Sequence, residues 1–263
     1  MRLAVLLVLL ALSACASRMP APEVQVNNPW QANAESLARS GVDAMEREKW
    51  GFARVMFERS LQAATLAGDE KLMALGHYNL GRAQTAGGDA AAARQSYRQA
   101  IRQADSAGDA VNARRAALAL AMLEDGDAQA SEAQLDVPVA FPIDIHLAAA
   151  RLAVLRGREN AARQSYARVL GMAGKDRNGL LYAARAHLGM AELEYAADSQ
   201  GGNAAAWAHL NTSLGLLRRA GQPRLMLQAV KLAAKLESEP VRRQMWQQRA
   251  RALENILQQS PAR

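Results

Sequence analysis

The stretch Tyr78-Asn79-Leu80-Gly81-Arg82-Ala83-Gln84-Thr85-Ala86-Gly87-Gly88-Asp89-Ala90-Ala91-Ala92-Ala93-Arg94-Gln95-Ser96-Tyr97-Arg98-Gln99-Ala100 decides how the chain is read. Two runs with apolar residues at helical spacing flank Gly87-Gly88-Asp89, a composition that ends one helix and starts the next. Forty residues earlier, Gly41, Ala53, Phe57 and Ser60 stand where Gly81, Ala93, Tyr97 and Ala100 stand. The flanks recur at the same interval, as Leu66-Ala67-Gly68-Asp69 and Ser106-Ala107-Gly108-Asp109. A fixed period over two-helix units is the mark of a repeat array.

Composition agrees. The 263 residues are 50% hydrophobic but only 5% aromatic, with alanine abundant and valine, isoleucine and threonine scarce. That suits closely packed helices and argues against a β-sandwich or barrel, whose pleated faces need β-branched and aromatic side chains. The 22% of charged residues, with half the chain apolar, also argues against global disorder. A single cysteine excludes an intrachain disulfide framework and a Cys-rich zinc module.

The unit around Gly81 resembles the tetratricopeptide repeat, which carries Leu-Gly on its first helix and alanine, a bulky residue and alanine on its second. The resemblance implies that Gly81 lets two helices approach, Ala93 fits their crossing and Tyr97 plugs the space beside the next pair. The forty-residue interval is longer than the usual repeat of about 34, and the usual terminal proline is absent. Ala162-Arg163-Gln164-Ser165-Tyr166 repeats Ala93-Arg94-Gln95-Ser96-Tyr97 letter for letter. Leu188-Gly189 starts a further unit, completed by Ala206 and Leu210 after an expanded turn at Gly201-Gly202-Asn203. Residues 111–135 form a degenerate unit, and Val137-Pro138-Val139-Ala140-Phe141-Pro142 interrupts the array. The last pair covers 225–236 and 241–257, its polar final helix suiting a solvent-facing cap. The resemblance implies an all-α fold, a right-handed superhelix of about six antiparallel helix pairs over residues 34–260.

Ahead of the repeats, Arg2 precedes an apolar run of about ten residues from Leu3 to Leu12, too short for a ~30 Å hydrocarbon core but proportioned as a secretory signal. Leu12-Ser13-Ala14-Cys15 resembles the lipobox of bacterial lipoproteins. That resemblance implies a signal peptide at 1–14 and lipidation of Cys15. Ala16, in place of aspartate, implies sorting to the outer membrane of a Gram-negative cell, facing the periplasm. Ordinary cleavage remains a competing reading, since Ala14-Cys15-Ala16 also fits the small-residue rule, as does a cytosolic first helix. Several acyl chains at ~0.8 kcal/mol per buried CH₂ anchor stably where one is marginal. Residues 15–33, with Pro20, Pro22 and Pro29, read as an extended tether spanning at most ~60 Å.

Chemistry is sparse. His77, His146, His187 and His209 form no H-E-x-x-H or zinc spacing, so no metal or cofactor is expected. Asp144-x-His146 reads as a capping aspartate followed by a helix-face histidine. No Walker A, G-x-S-x-G or G-x-G-x-x-G pattern occurs, and the chain is expected not to be an enzyme. The net charge of +7 falls to +6 without Arg2. The arginines interleave with acids and glutamines, so no nucleic-acid partner is expected of an exported protein. Arg218-Arg219 and Arg242-Arg243 sit at or near helix ends.

Stacked helix pairs make a concave groove. The resemblance implies that the first helix of each pair lines it. Leu75, Tyr78, Arg82 and Thr85 then face inward in the second unit with Asn79 beside them, and Leu147, Arg151 and Val154 in the fourth. Tyr78 and Arg82, one turn apart, suit holding an extended peptide by stacking and hydrogen bonding; the competing reading packs Tyr78 between helices and leaves Arg82 solvated. Carboxylate-clamp members carry lysine and asparagine on the first inner face, where this chain has Ala38 and Val42. The sequence thus points to a membrane-anchored scaffold for a protein or peptide partner in the periplasm, its oligomeric state open. A pilotin-like factor for type IV pilus or secretion-pore assembly, and a regulator of peptidoglycan synthesis or hydrolysis, are the alternatives.

Overall fold

The first helix starts where its capping chemistry dictates. The Asn28 side chain accepts from the Trp30 amide at 3.0 Å, and Pro29 takes the opening position, where a missing N–H costs nothing. The tether expected to run to residue 33 therefore gives way to helix at Pro29. The computed structural model describes residues 28–124, 135–197 and 203–259. Cys15, the signal-like run, and Gly201-Gly202 lie outside the described residues.

Among the described residues the chain is all-helical, with eleven helices and no strand. They are α1 (Pro29–Glu46), α2 (Trp50–Ala67), α3 (Glu70–Ala86), α4 (Ala90–Ser106), α5 (Ala110–Leu123), α6 (Ile143–Leu155), α7 (Glu159–Met172), α8 (Arg177–Ala197), α9 (Ala204–Ala220), α10 (Pro223–Leu236) and α11 (Pro240–Gln259). Five adjacent pairs pack together: α1 on α2, α3 on α4, α6 on α7, α8 on α9 and α10 on α11. Helix α5 packs on α3, α4 and α6. The partner that a sixth pair needs for α5 would fall at residues 125–134, outside the described residues. First helices also touch across pairs, α1 with α3, α3 with α5, α6 with α8 and α8 with α10, and so form one shared layer.

The turns explain the recurring Gly-Asp. Gly68, Gly88 and Gly108 adopt left-handed φ values of 68°, 84° and 63°, which glycine enters without the Cβ penalty. The aspartate after each reaches the next helix: Asp69, Asp89 and Asp109 accept from the amides of Leu72, Ala92 and Asn112, each at 3.0 Å. One Gly-Asp thus closes a helix and caps its successor. Asp89→Ala is expected to cost about 1 kcal/mol, read as a lower urea midpoint at unchanged slope.

At the first turn the left-handed residue is Glu48, with φ 56°, the only described non-glycine with positive φ. Its carboxylate pairs with Arg224 at the start of α10. The array therefore curls until its first turn meets its fifth complete pair.

Inside the pairs, aromatic rings occupy space that glycine leaves. A Cβ on Gly41 would lie 2.4 Å from the Phe57 ring, and one on Gly81 would lie 2.7 Å from the Tyr97 ring. Ala53 and Ala93 are fully buried at the same crossings. The repeated pentapeptide behaves alike in both copies, with Ala93, Ser96 and Tyr97 buried in one and Ala162, Ser165 and Tyr166 in the other. One feature shifts: Tyr166 lies against Gly189 of the following helix, 2.2 Å from where a Cβ would stand, and buried Ala150 occupies the position sixteen residues before it.

The Pro-rich stretch does not interrupt packing. Val137 is buried in a cluster with Leu118, Ala121, Ile145, Ala149 and Leu152, so it joins α5 to α6. Arg168 of α7 donates to the Val137 carbonyl at 2.7 Å. Pro142 stands at the start of α6 without a side-chain cap, and Asp144 lies in the first turn. The capping role expected for Asp144 is therefore corrected: its carboxylate accepts from Arg115 of α5, at 2.7 Å from Nε and 3.3 Å from Nη2. At the other end Arg218 and Arg219 occupy the last turn of α9, where a helix dipole favours cations. Arg243 donates to the carbonyls of Glu237 and Ser238, just past the end of α10.

Candidate binding groove

The layer of first helices lines two adjoining cavities, of about 700 and 850 Å³, which share Arg82, Leu147 and Arg185. The first runs from α1 to α8, with Val42, Leu75, Tyr78 and Tyr182 on its walls. The second continues over α6, α7, α8 and α10, with Leu188, Tyr195, Leu225 and Leu232. Together they make one groove whose floor alternates between apolar side chains and cations.

Leu75, Tyr78, Asn79, Arg82 and Leu147 border the first cavity, and Arg151 the second. Thr85 and Val154 border neither. Thr85 donates to the Gly81 carbonyl at 2.8 Å and meets the Tyr97 hydroxyl at 3.2 Å, so it is committed to its own pair. Val154 packs against the cluster of Leu147, Ala150, Ala162 and Tyr166.

Tyr78 packs between helices, as one of its two readings expects, and also borders the groove. Its ring packs inward on Tyr97, at 6.0 Å between centroids, while the guanidiniums of Arg82 and Arg115 lie 5.7 and 5.9 Å from its own centroid. Burial pushes its hydroxyl pKa up, against the pull of both arginines. Burial likewise raises Tyr97 to about 12, so both phenols stay neutral hydrogen-bonding groups. Asn79, buried, accepts from Arg82 at 3.3 Å and orients that guanidinium.

Three arginines in this site escaped the sequence reading: Arg39, paired with Glu35 on α1, and Arg115 and Arg185, which differ from each other. Arg115 is structural: it clasps Asp144 with two hydrogen bonds and Asn112 with a third, at 2.6 Å. Burial alone would lower its pKa, but the bond and charge of Asp144 outweigh that and raise it. Arg185 has no such clasp. Enclosure by the groove walls pushes its pKa down, and its like-charged neighbours Arg151 and Arg82 add to that, against Tyr182 and Glu46. A signal for it existed. Arg82 and Arg151 are 69 residues apart, the interval separating the identical pentapeptides, and Arg185 follows after a further 34. All three stand on first helices, α3, α6 and α8, with α5 between the first two.

The acidic side of the groove is weaker. Glu35 and Asp43 stand at the α1 end. Glu192 stands in the second cavity, where burial raises its pKa against Arg151 and Lys235. No group of three or more metal-ligating side chains occurs among the described residues, and no described helix is long and apolar enough to cross a membrane. No protein-family model matches the chain, and no curated protein matches it either.

Proposed function

We propose that the chain is a lipid-anchored scaffold of the tetratricopeptide kind, a right-handed superhelix held at the outer membrane through Cys15, that binds a protein partner during envelope assembly. The observation that carries this reading is the continuous groove along the first-helix layer, with apolar side chains and cations side by side. Such a surface offers both burial and orientation to an extended segment. The repeated helix pairs supply rigidity, since each packs on its neighbours. The anchor rests on the Leu12-Ser13-Ala14-Cys15 motif.

Two measurements test the reading. Cys15→Ser is expected to accumulate as the unprocessed precursor and to leave the membrane fraction after detergent-free lysis. A processed Cys15→Ser protein that still sediments with membranes would remove the anchor. In cells, a photo-crosslinking residue at Leu75 or Tyr195 in the groove is expected to give protein adducts that the same residue at exposed Phe52 on α2 does not. Adducts of pilus or secretion-pore subunits would select the pilotin-like role, and adducts of cell-wall enzymes the peptidoglycan role. Adducts only from Phe52 would move the binding face off the groove.

A further inference from the structure

The arginines of this protein fall into two populations. Those serving the fold are tied to a partner: Arg115 to Asp144, Arg163 to Glu194, Arg168 to the Val137 carbonyl, and Arg177 to the Ala220 carbonyl. Among the described residues, three groove arginines, Arg82, Arg151 and Arg185, have no such carboxylate or carbonyl partner. Arg82 has one hydrogen bond, to neutral Asn79, and among the described residues no carboxylate or carbonyl bonds to Arg151 or Arg185. All three line the second cavity beside Lys231 and Lys235, with Glu192 the one carboxylate on that wall. Lys231 is itself held by Glu254 of α11. Like charges gathered around the single carboxylate of Glu192 raise the energy of the empty groove, and a further anion seated among them relieves it.

The surroundings narrow the kind of anion. Part of the floor beside the arginines is apolar, with Leu147, Leu188, Leu225 and Leu232 in the same cavity and Leu75 in the adjoining one. A bare phosphate chain or acidic glycan has nothing to bury there, whereas a polypeptide with acidic residues between apolar ones satisfies both surfaces. The three arginines also stand mid-groove, on α3, α6 and α8, and the first inner helix offers Ala38 and Val42 to its cavity, together with Arg39, which is paired with Glu35. This places the charge contacts along a bound chain, away from its end.

We infer that the groove takes an acidic segment of the partner polypeptide, whose internal aspartate or glutamate side chains dock on Arg82, Arg151 and Arg185 while flanking apolar residues fill the leucine-lined floor. This assignment rests on the reading of the chain as a scaffold for a protein segment. Arginine suits the role because its planar fork matches a carboxylate in bidentate fashion. Binding of this kind weakens as salt screens the exposed parts of the contact.

The test uses the full chain carrying Cys15→Ser and an array of amidated twelve-residue peptides with graded numbers of glutamates between leucines, each paired with its glutamine counterpart. Affinity is expected to rise with the glutamate count, to fall with salt, and to drop at least about tenfold in Arg151→Gln/Arg185→Gln. Arg185→Lys, which keeps the charge and loses the fork, is expected to sit between the two. Circular dichroism and the urea midpoint check that the double variant folds, which the exposed positions of both side chains favour. Glutamine peptides binding as well as glutamate ones, or the double variant binding unchanged, would overturn the inference while leaving the scaffold reading intact. Tripolyphosphate binding as tightly as the acidic peptides overturns the choice of polypeptide, and a requirement for a free C-terminal carboxylate overturns the internal docking. Binding of no peptide of any charge defeats the scaffold reading together with the inference.

Discussion

Phe57→Ala is expected to remove about 3–5 kcal/mol of stability, the usual cost of deleting a fully buried phenyl ring. Its partner substitution separates the cause. Gly41→Ala alone pits two effects against each other: alanine is favoured over glycine in a helix by about 0.5–1 kcal/mol, while overpacking a filled crossing costs about 1–3 kcal/mol. Since the new methyl would lie 2.4 Å from the Phe57 ring, with two more ring carbons within 2.8 Å, overpacking wins and the variant is destabilised. In the Phe57→Ala background the ring is gone, and Gly41→Ala is expected to become neutral or stabilising. The double-mutant cycle therefore shows a coupling of opposite sign to the single losses. Urea unfolding of the four proteins measures it. Equal costs for Gly41→Ala in both backgrounds would mean that ring and glycine do not share the crossing.

The positions of Gly41, Phe57, Gly81 and Tyr97 were legible because a period is visible without coordinates; that the Tyr97 ring seats on Gly81 of its own pair, as well as beside Ala119 of the next helix, was not. The helix turns were legible too, where Gly-Asp carries its own stereochemistry. The Tyr166 crossing was less legible. Its pentapeptide is identical to the earlier one, yet its glycine moved to the next helix, and a local motif carries no information about which neighbour a ring leans on. Asp144 was misread as a cap for a related reason: Pro142 already starts the helix, and the aspartate is spent on Arg115, 29 residues away in sequence. Arg185 was missed because it stands three residues before Leu188-Gly189, whereas Arg82 directly follows Leu80-Gly81, so the repeat motif does not align the two. The arginine cluster itself arises only when α3, α6 and α8 are brought to one surface, which is a property of stacking and not of any single helix.

His146→Leu is expected to stabilise the protein, by about 1–3 kcal/mol, the cost usually carried by a buried polar group without a partner. His146 is fully buried on α6, and neither ring nitrogen makes a hydrogen bond of good geometry, although the backbone of Val139 and Phe141 lies near enough to interact with the ring. Leucine fills comparable space with no polar atom to desolvate. The gain depends on pH in a definite direction. Burial first, and the Arg168 charge second, hold the His146 pKa below its ordinary value of 6.5, against the pull of the Val139 and Phe141 backbone and, last, of Asp144. Below about pH 6.5 the unfolded chain takes up a proton that the folded chain resists, so stability present above that pH is lost as pH falls toward the folded-state value. His77, lowered by burial and Arg102, acts in the same sense. So does His187, lowered by burial and by His209, whose Nδ1 lies 2.9 Å from its own. The natural protein is therefore expected to melt lower at about pH 5.5 than at about pH 7.5, and His146→Leu to narrow that gap without closing it. Thermal melts of the two proteins at both pH values decide the matter. A His146→Leu protein that is less stable than the natural one at about pH 7.5 would show that the ring is bonded in the folded state, and an unchanged gap would assign the acid sensitivity to the other two histidines.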